Sequence, residues 1–467
     1  MISFKWLVFI RIFEALLLRT SFNPDEHWQA NEVAHHLVFD HPKALLTWEW
    51  LPRAEIRGWA HPFIFALLYK VLAILSLDTR WLIAWGPRLL QSIFAASGDV
   101  AVGLLGGPRA QQLQILSWFM AFCLPRTFSN SLECVLFTWS LVFYMKKQRP
   151  VATFLIAALT LLMRPTAAVM YIPIGLHFLL YRKGSLTRII PGAVAYLVLT
   201  LLVDRIGYGH WVFVPWNFFK FNSVEGVSSL YGTHPFLWYF YAGLPFMLGP
   251  HLIPLASAVT SKRVWSKHSL LLIVCSFTIF VFSLNPHKEF RFLLPLMPCL
   301  MVIASDSPVT GLMSTKFLLA TNAIMLAYFG LVHQAGPDAV LAELARIRPE
   351  SVLFLMGCHQ TAFAAHLHDC GIKSLRQLDC SPTNPAPHES DRFYSDPSGF
   401  AMREVFGESR PSHVVVYEDG RFADLEPALK TTGYLEHSRH LHIPLGLLGN
   451  ERAMRIFAHR SFDSDET

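Results

Sequence analysis

The sequence predicts a polytopic α-helical membrane protein, with roughly 11–13 membrane helices, that ends in a small soluble α/β domain. Three observations predict it. Of 467 residues, 53% are hydrophobic and only 15% charged, against about 25% charged in an average soluble domain. Apolar stretches recur at 61–77, 89–105, 112–125, 131–145, 151–163, 166–181, 189–203, 236–258, 269–284, 292–305 and 315–333. Beyond residue 334 the composition turns polar. The net charge of +6 is small for this length, and no basic run is long enough for a nucleic-acid footprint. The surroundings expected are therefore membrane lipids, with no nucleic acid.

The opening MISFKWLVFIRIFEALLLRT lacks a small-residue cleavage site, and Arg11 and Glu14 interrupt its apolar core. An uncleaved first helix is expected, with the two charges paired or facing the bundle. Several of the later stretches are shorter than the roughly 20 residues that span a bilayer, which predicts tilted or half-spanning helices in a thin membrane such as the endoplasmic reticulum. Basic residues set the orientation. The clusters Lys146-Lys147-Gln148-Arg149, Arg182-Lys183, and Lys262-Arg263 with Lys267 occupy short connections and are cytoplasmic by the positive-inside rule. The opposite face then collects residues 21–60, 126–133, the start of the helix at Arg164, 204–235 and 285–292. The interval 78–88 breaks simple alternation, and a short return pass is expected there.

The multi-spanning part covers 1–334 and the soluble α/β domain 335–467. In the latter, Ser351–Met356, His413–Tyr417 and Met454–Ala458 read as buried strands and Asp424–Thr432 as a helix, with a long loop over 381–400.

Ser21 to Pro62 joins the first two apolar segments and carries six acidic residues, five histidines and four tryptophans. Asn23-Pro24 reads as a helix start, so Asp25 and Glu26 fall in the first turn, where the helix dipole favours their ionised form. The same pair would also serve simply to begin an interfacial helix. In HKEFRF, the side chains of His287, Lys288 and Arg291 gather beside Glu289, which suits a phosphate at the membrane surface; snorkelling at a helix end explains them equally. Arg164, set among apolar residues, requires an anion or carbonyl partner. The loop 204–235 interleaves Trp211, Trp216, Phe218, Phe219 and Tyr231 with Asn217, Lys220 and Asn222. These suit a sugar ring, and an interfacial aromatic belt would contain them too. Cys123, Cys134, Cys275 and Cys299 lie in apolar runs as buried thiols. Cys358-His359, His366, His368, Cys370 and Cys380 match no closed zinc spacing, so no metal is expected. A disulfide is expected instead, Cys370 with Cys380, with Cys358 as the alternative partner.

Taken in order, NPDEHWQANEVAHHLVFD, LTWEW, RTFSNSLE, MRPTA, WNFFKFN, YGTHP and HKEFRF resemble the dolichyl-phosphate-mannose-dependent mannosyltransferases of the GT-C superfamily, family 22. Within the family the likeness is greatest to the branch acting on the GPI-anchor precursor glycolipid. It departs at Asn23, where many members have His, and at His27, where Tyr is common. The resemblance implies a GT-C-like fold and a multi-pass protein of the endoplasmic reticulum membrane with a lumenal active site. The reaction implied is transfer of mannose, with inversion, from dolichyl-phosphate-mannose to the second mannose of the precursor, forming an α1,2 linkage without a cofactor. Asp25 then takes the acceptor proton, with Glu26 orienting the acceptor or sharing that role. His287, Lys288, Arg291 and Arg164 receive the donor phosphate. His27, Trp28, Trp216, Asn217, Lys220, Tyr231 and His234 are the implied acceptor or sugar contacts. A transporter would instead place charges mid-helix and repeat internally; here the charges cluster in loops and no repeat is visible. A sister enzyme acting on another lipid-linked glycan or another GPI mannose would share all of this local chemistry.

Overall fold

The computed structural model describes residues 1–39, 46–307, 315–405, 410–444 and 449–462. Its contacts form two compact units. One comprises Met1–Leu16, Glu55–Ile64 and Arg88–Leu326; the other comprises Leu17–Ala54, Phe65–Pro87 and the chain from Ala327.

The first unit is helical. Among the described residues, four helices are long and apolar enough to cross a membrane: Arg80–Leu116, Leu186–Tyr208, Tyr239–Val259 and Lys262–Leu284. Ala60–Ile74, Pro150–Met163, Pro165–Leu180 and Phe290–Ala304 are apolar but shorter. At 1.5 Å per residue such helices fall short of a hydrocarbon core of about 30 Å. Prolines start or interrupt several of them, as at Pro150, Pro173 and Pro295. The return pass expected in 78–88 is not there. That interval holds the start of the 37-residue helix Arg80–Leu116, which bends at Gly107, where φ is +81°. Only glycine adopts that conformation readily; the bent helix covers the 89–105 run and only the start of the 112–125 run, which continues as the separate helix Trp118–Cys123.

Arg11 and Glu14 do pair, at 2.7 Å, and a third member, Asp99, joins them with no signal in the sequence. Arg11 donates from Nε and Nη2 to Asp99 at 2.7 and 2.8 Å, and both side chains are fully buried. Gln114 Nε2 adds a hydrogen bond to Asp99 Oδ1 at 3.1 Å. A buried charge survives only when paired and hydrogen-bonded on all sides, so this network fixes the first helix against Arg80–Leu116. The basic clusters at 146–149, 182–183 and 262–263 are exposed at helix connections.

The second unit is built on a five-stranded sheet: β1 (Ser351–Leu355), β2 (Ser374–Gln377), β3 (His413–Glu418), β4 (Tyr434–Leu441) and β5 (Ala453–His459), in the order β2-β1-β3-β5-β4. β1 is parallel to β2 and β3, whereas β5 runs antiparallel to β3 and β4. The three strands read from the sequence are the interior ones, whose apolar runs are almost wholly buried. The two it missed are the edges, SLRQ and YLEHSRHL, which are mostly exposed and polar as unpaired edges require. The helix expected over 424–432 is Leu425–Thr431. The 381–400 stretch is not wholly a loop, since Glu389–Ser395 and Pro397–Phe400 are helical. Phe393 and Phe400 from these helices are buried in the sheet's core, and so is Trp28 from the N-terminal part of the chain.

Candidate active site

Two polar clusters carry the residues singled out in the sequence, one in each unit. In the second unit the chain turns at Asn23: its Oδ1 accepts from Asp25 N at 3.0 Å, and its carbonyl accepts from Glu26 N at 3.2 Å. Helix begins at Asp25, passes through a π-helical turn at His27–Asn31 and continues as Glu32–Phe39. The two carboxylates differ sharply, for Glu26 is fully buried whereas Asp25 keeps partial solvent access.

The helical segment beyond Glu26 is seated on the loop after β1. Trp28 Nε1 donates to the carbonyls of His359 and Thr361 at 3.1 and 3.0 Å, and its ring lies 5.0 Å from Phe363. The fully buried Glu32 carboxylate accepts from the amides of Phe363 at 2.9 Å and Ala365 at 3.3 Å. Burial raises Glu32 to about 7 against the pull of those amides. His35 Nε2 meets His368 Nδ1 at 2.9 Å, and the His27 and His366 rings contact edge to face at 4.9 Å. Trp28 and His27, expected to touch a sugar, are thus core and packing residues, 2% and 5% exposed. Glu32 carried no motif of its own in the sequence; its i, i+7 relation to Asp25 was the available signal. Asp40 and His41 lie outside the described residues.

The disulfide differs from the one expected. Cys358 pairs with Cys380, and Cys370 is a buried free thiol. Parallel register explains it. Phe354 of β1 sits opposite Gln377 of β2, so Cys358, four residues on, and Cys380, three residues on, leave the same end of the strand pair. Cys370 precedes β2 and lies at the opposite end. Without β2 in view, nothing in the spacing distinguishes them. The disulfide also removes both thiolates that, with His359, come within 4.8 Å as possible metal ligands.

In the first unit the segments at 126–133, 164–166 and 285–292 converge. Arg291 forms a bidentate pair with Glu289 at 2.7 and 2.8 Å, and His287 Nε2 reaches the same carboxylate at 3.2 Å. Burial opposes the charge on Glu289, but the Arg291 guanidinium and His287 outweigh it and hold the carboxyl well below its usual range. Burial likewise works against His287, yet its bond to Glu289 prevails and raises it. Lys288 is 3% exposed and donates to the carbonyls of His234 and Asn285 at 2.9 and 2.6 Å; burial lowers it. Arg164 is 3.3 Å from Glu133 and donates to Ser129 Oγ at 3.0 Å. The guanidiniums of Arg164 and Arg291 both lie against the Phe292 ring, at 5.9 and 5.5 Å.

Tyr231 and His234 join this cluster. Tyr231 contacts the His287 ring at 6.2 Å, and His234 stacks on Trp238 at 4.4 Å. Trp216, Asn217 and Lys220 belong to a separate group. Asn217 donates to the Glu55 carbonyl at 3.3 Å, Lys220 forms an exposed pair with Glu225 at 3.5 Å, and Trp216 is exposed beside Phe219.

The family model of the Alg9-like mannosyltransferase family matches residues 2–368. GPI alpha-1,2-mannosyltransferase 3 of Danio rerio is 34% identical over 496 residues, covering 98% of this chain and 89% of its own. The Homo sapiens protein of the same name is 33% identical over 94% of this chain and 84% of its own, and Mannosyltransferase APTG1 of Arabidopsis thaliana 36% over 89% and 84%. Among solved structures, ArnT from Cupriavidus metallidurans bound to undecaprenyl phosphate aligns with a TM-score of 0.55 at 13% identity, over 97% of each chain. That likeness is one of fold. With a matching family model over most of its length and these relatives along nearly all of it, the chain belongs to the Alg9-like mannosyltransferase family.

Proposed function

We propose that this protein transfers mannose from dolichyl-phosphate-mannose to the second mannose of a GPI-anchor precursor, forming the third, α1,2-linked mannose with inversion. The observation that carries the reading is the likeness, along 98% of the chain, to a relative named for α1,2 transfer in GPI assembly. Inversion asks for one base and a means of stabilising the departing phosphate. Asp25 is the base, because it alone of the two adjacent carboxylates retains solvent access. It accepts the proton of the attacking hydroxyl as the new C–O bond forms and the bond to the phosphate breaks. Glu26, fully buried, shapes the turn. Arg291, Arg164, His287 and Lys288 receive the phosphate; Glu289 orients Arg291 and His287, Glu133 orients Arg164, and the His234 and Asn285 carbonyls hold Lys288. Charge developing on the phosphate falls to these residues, so the chemistry calls for no metal or cofactor.

The basic clusters in short connections support a lumenal site at the endoplasmic reticulum membrane, by the positive-inside rule. A glycosylation sequon inserted at Pro385 is accordingly modified. The deciding assay supplies membranes containing the chain with labelled dolichyl-phosphate-mannose and GPI intermediates bearing two or three mannoses. Label enters the two-mannose intermediate alone and is released by an α1,2-mannosidase; labelling of another glycan instead overturns the acceptor.

A further inference from the structure

Helices Ser129–Leu141 and Pro150–Met163 have the Glu133–Arg164 pair at one end. Their other end gathers positive charge. Between Glu133 and Asp204 the chain holds no acidic residue, and two connections carry six cations: Lys146, Lys147 and Arg149 in one, Arg182, Lys183 and Arg188 in the other. All six are exposed, and no carboxylate among the described residues pairs with any of them. The connections are tight turns, each passing through the left-handed region, at Gln148 (φ +51°) and at Lys183 (φ +47°). Side chains tie one turn to the other. Tyr144 Oη lies 2.7 Å from His177 Nδ1, and the Arg182 guanidinium lies 4.9 Å from the Tyr144 ring. The helices that follow the turns are pressed together at Gly192, where a Cβ would come within 2.3 Å of the Phe154 carbonyl oxygen. Insertion topology asks for cations in such connections, but not that the connections be joined into one surface. At the third basic connection the charge is instead answered, since Asp306 engages Lys267 and His268 at 2.6 and 2.5 Å.

We propose that this end of the helices binds the headgroups of anionic phospholipids. The cations border large apolar side chains: Leu180, Tyr181, Leu186 and Ile190 are 52–78% exposed. A lipid satisfies both halves of the surface, with its anionic headgroup against the cations and its acyl chains against the apolar rim. A soluble polyanion covers only the first. Basic clusters beside membrane helices select anionic headgroups on these grounds, with the long cationic side chains reaching to the interface.

The test follows thermal unfolding of the full-length protein in uncharged detergent as dioctanoyl-phosphatidylserine is added, with dioctanoyl-phosphatidylcholine as the neutral lipid. The serine lipid is expected to raise the midpoint in a saturable, salt-sensitive way, and the choline lipid to leave it unchanged. Lys146→Gln with Lys147→Gln, and separately Arg182→Gln with Lys183→Gln, each raise the lipid concentration needed for half the shift about tenfold. Each pair leaves the other connection's cations to orient the helices, and an unchanged midpoint without lipid shows that the variants fold. Lys373→Gln with Lys430→Gln removes two cations already paired with Glu350 and Glu426 and leaves the response intact. Equal midpoints with the two lipids, a wild-type response in both cation variants, or an equal loss in the Lys373 and Lys430 variant overturns the proposal. So does a full response to soluble glycerophosphoserine, which would make this a site for free phosphate esters rather than for lipid.

Discussion

The acidic and cationic clusters are held in opposite ways. In the HKEFRF segment the ion pairs join residues two apart: His287 and Arg291 both reach Glu289. The segment beyond Asp25 takes several of its anchors from far along the chain. Glu32 meets the amides of Phe363 and Ala365, 331 and 333 positions away, and Trp28 meets carbonyls equally distant. A locally organised cluster tolerates changes elsewhere in its unit. A cluster assembled by long-range contacts inherits the stability of the sheet domain on which it is seated.

The largest expected effect tests the chemistry directly. Asp25→Asn keeps size and turn propensity but removes proton affinity, so turnover falls by roughly 10²–10⁴ with the protein still folded; donor affinity measured alongside stays near wild type. Poor expression with full residual activity would instead make Asp25 structural. Arg291→Ala comes next in size. Loss of a charge-assisted contact to phosphate costs about 2–4 kcal/mol in transition-state stabilisation. Because the donor phosphate is anionic before reaction, donor KM rises as kcat falls. An Arg291→Ala enzyme with unaltered donor KM would remove this cluster from the donor site.

Glu32 probes the long-range side of the comparison. Glu32→Ala leaves the amides of Phe363 and Ala365 without their acceptor inside the core, at about 1–3 kcal/mol each, which thermal unfolding in detergent registers as a lower midpoint. Glu32→Gln keeps an acceptor and loses the charge. Since the native carboxyl is raised from 4.5 to about 7, the folded unit holds a proton between those values that the unfolded chain has released. Its contribution is fully present below about 4.5 and is lost as pH rises through about 7. The Gln variant is therefore less pH-sensitive than wild type across that window; identical slopes would show that Glu32 is not titrating. Lys220→Ala is expected to change least. Its partner Glu225 is nearly half exposed, and such pairs contribute about 0–1 kcal/mol, so both stability and transfer stay near wild type. A large loss of transfer would return Lys220 to the site.

Legibility in the sequence divided along the same line. The HKEFRF cations and the Arg11–Glu14 pair could be read because their partners are neighbours, and β1, β3 and β5 because burial on both faces leaves an apolar run. The edge strands β2 and β4 could not, since an exposed edge is polar and carries no such run. Missing β2 was enough to misassign the disulfide, and the burial of His27 and Trp28 was hidden for a related reason: nothing nearby in sequence shows that a tryptophan beside a polar motif will be buried by residues beyond 350.

By itself, the sequence determined the membrane class, the presence of a C-terminal sheet, the helix start at Asp25 and the family, because hydropathy, caps and ordered motifs are local properties. Tertiary structure alone decided that the Asp25 helix is built onto the sheet domain, that Glu26 is buried while Asp25 is not, and that Cys358 rather than Cys370 joins Cys380. Each of these depends on which distant segment covers a side chain or lies in register with it. Burial and strand pairing are properties of the folded chain, and no local pattern encodes them.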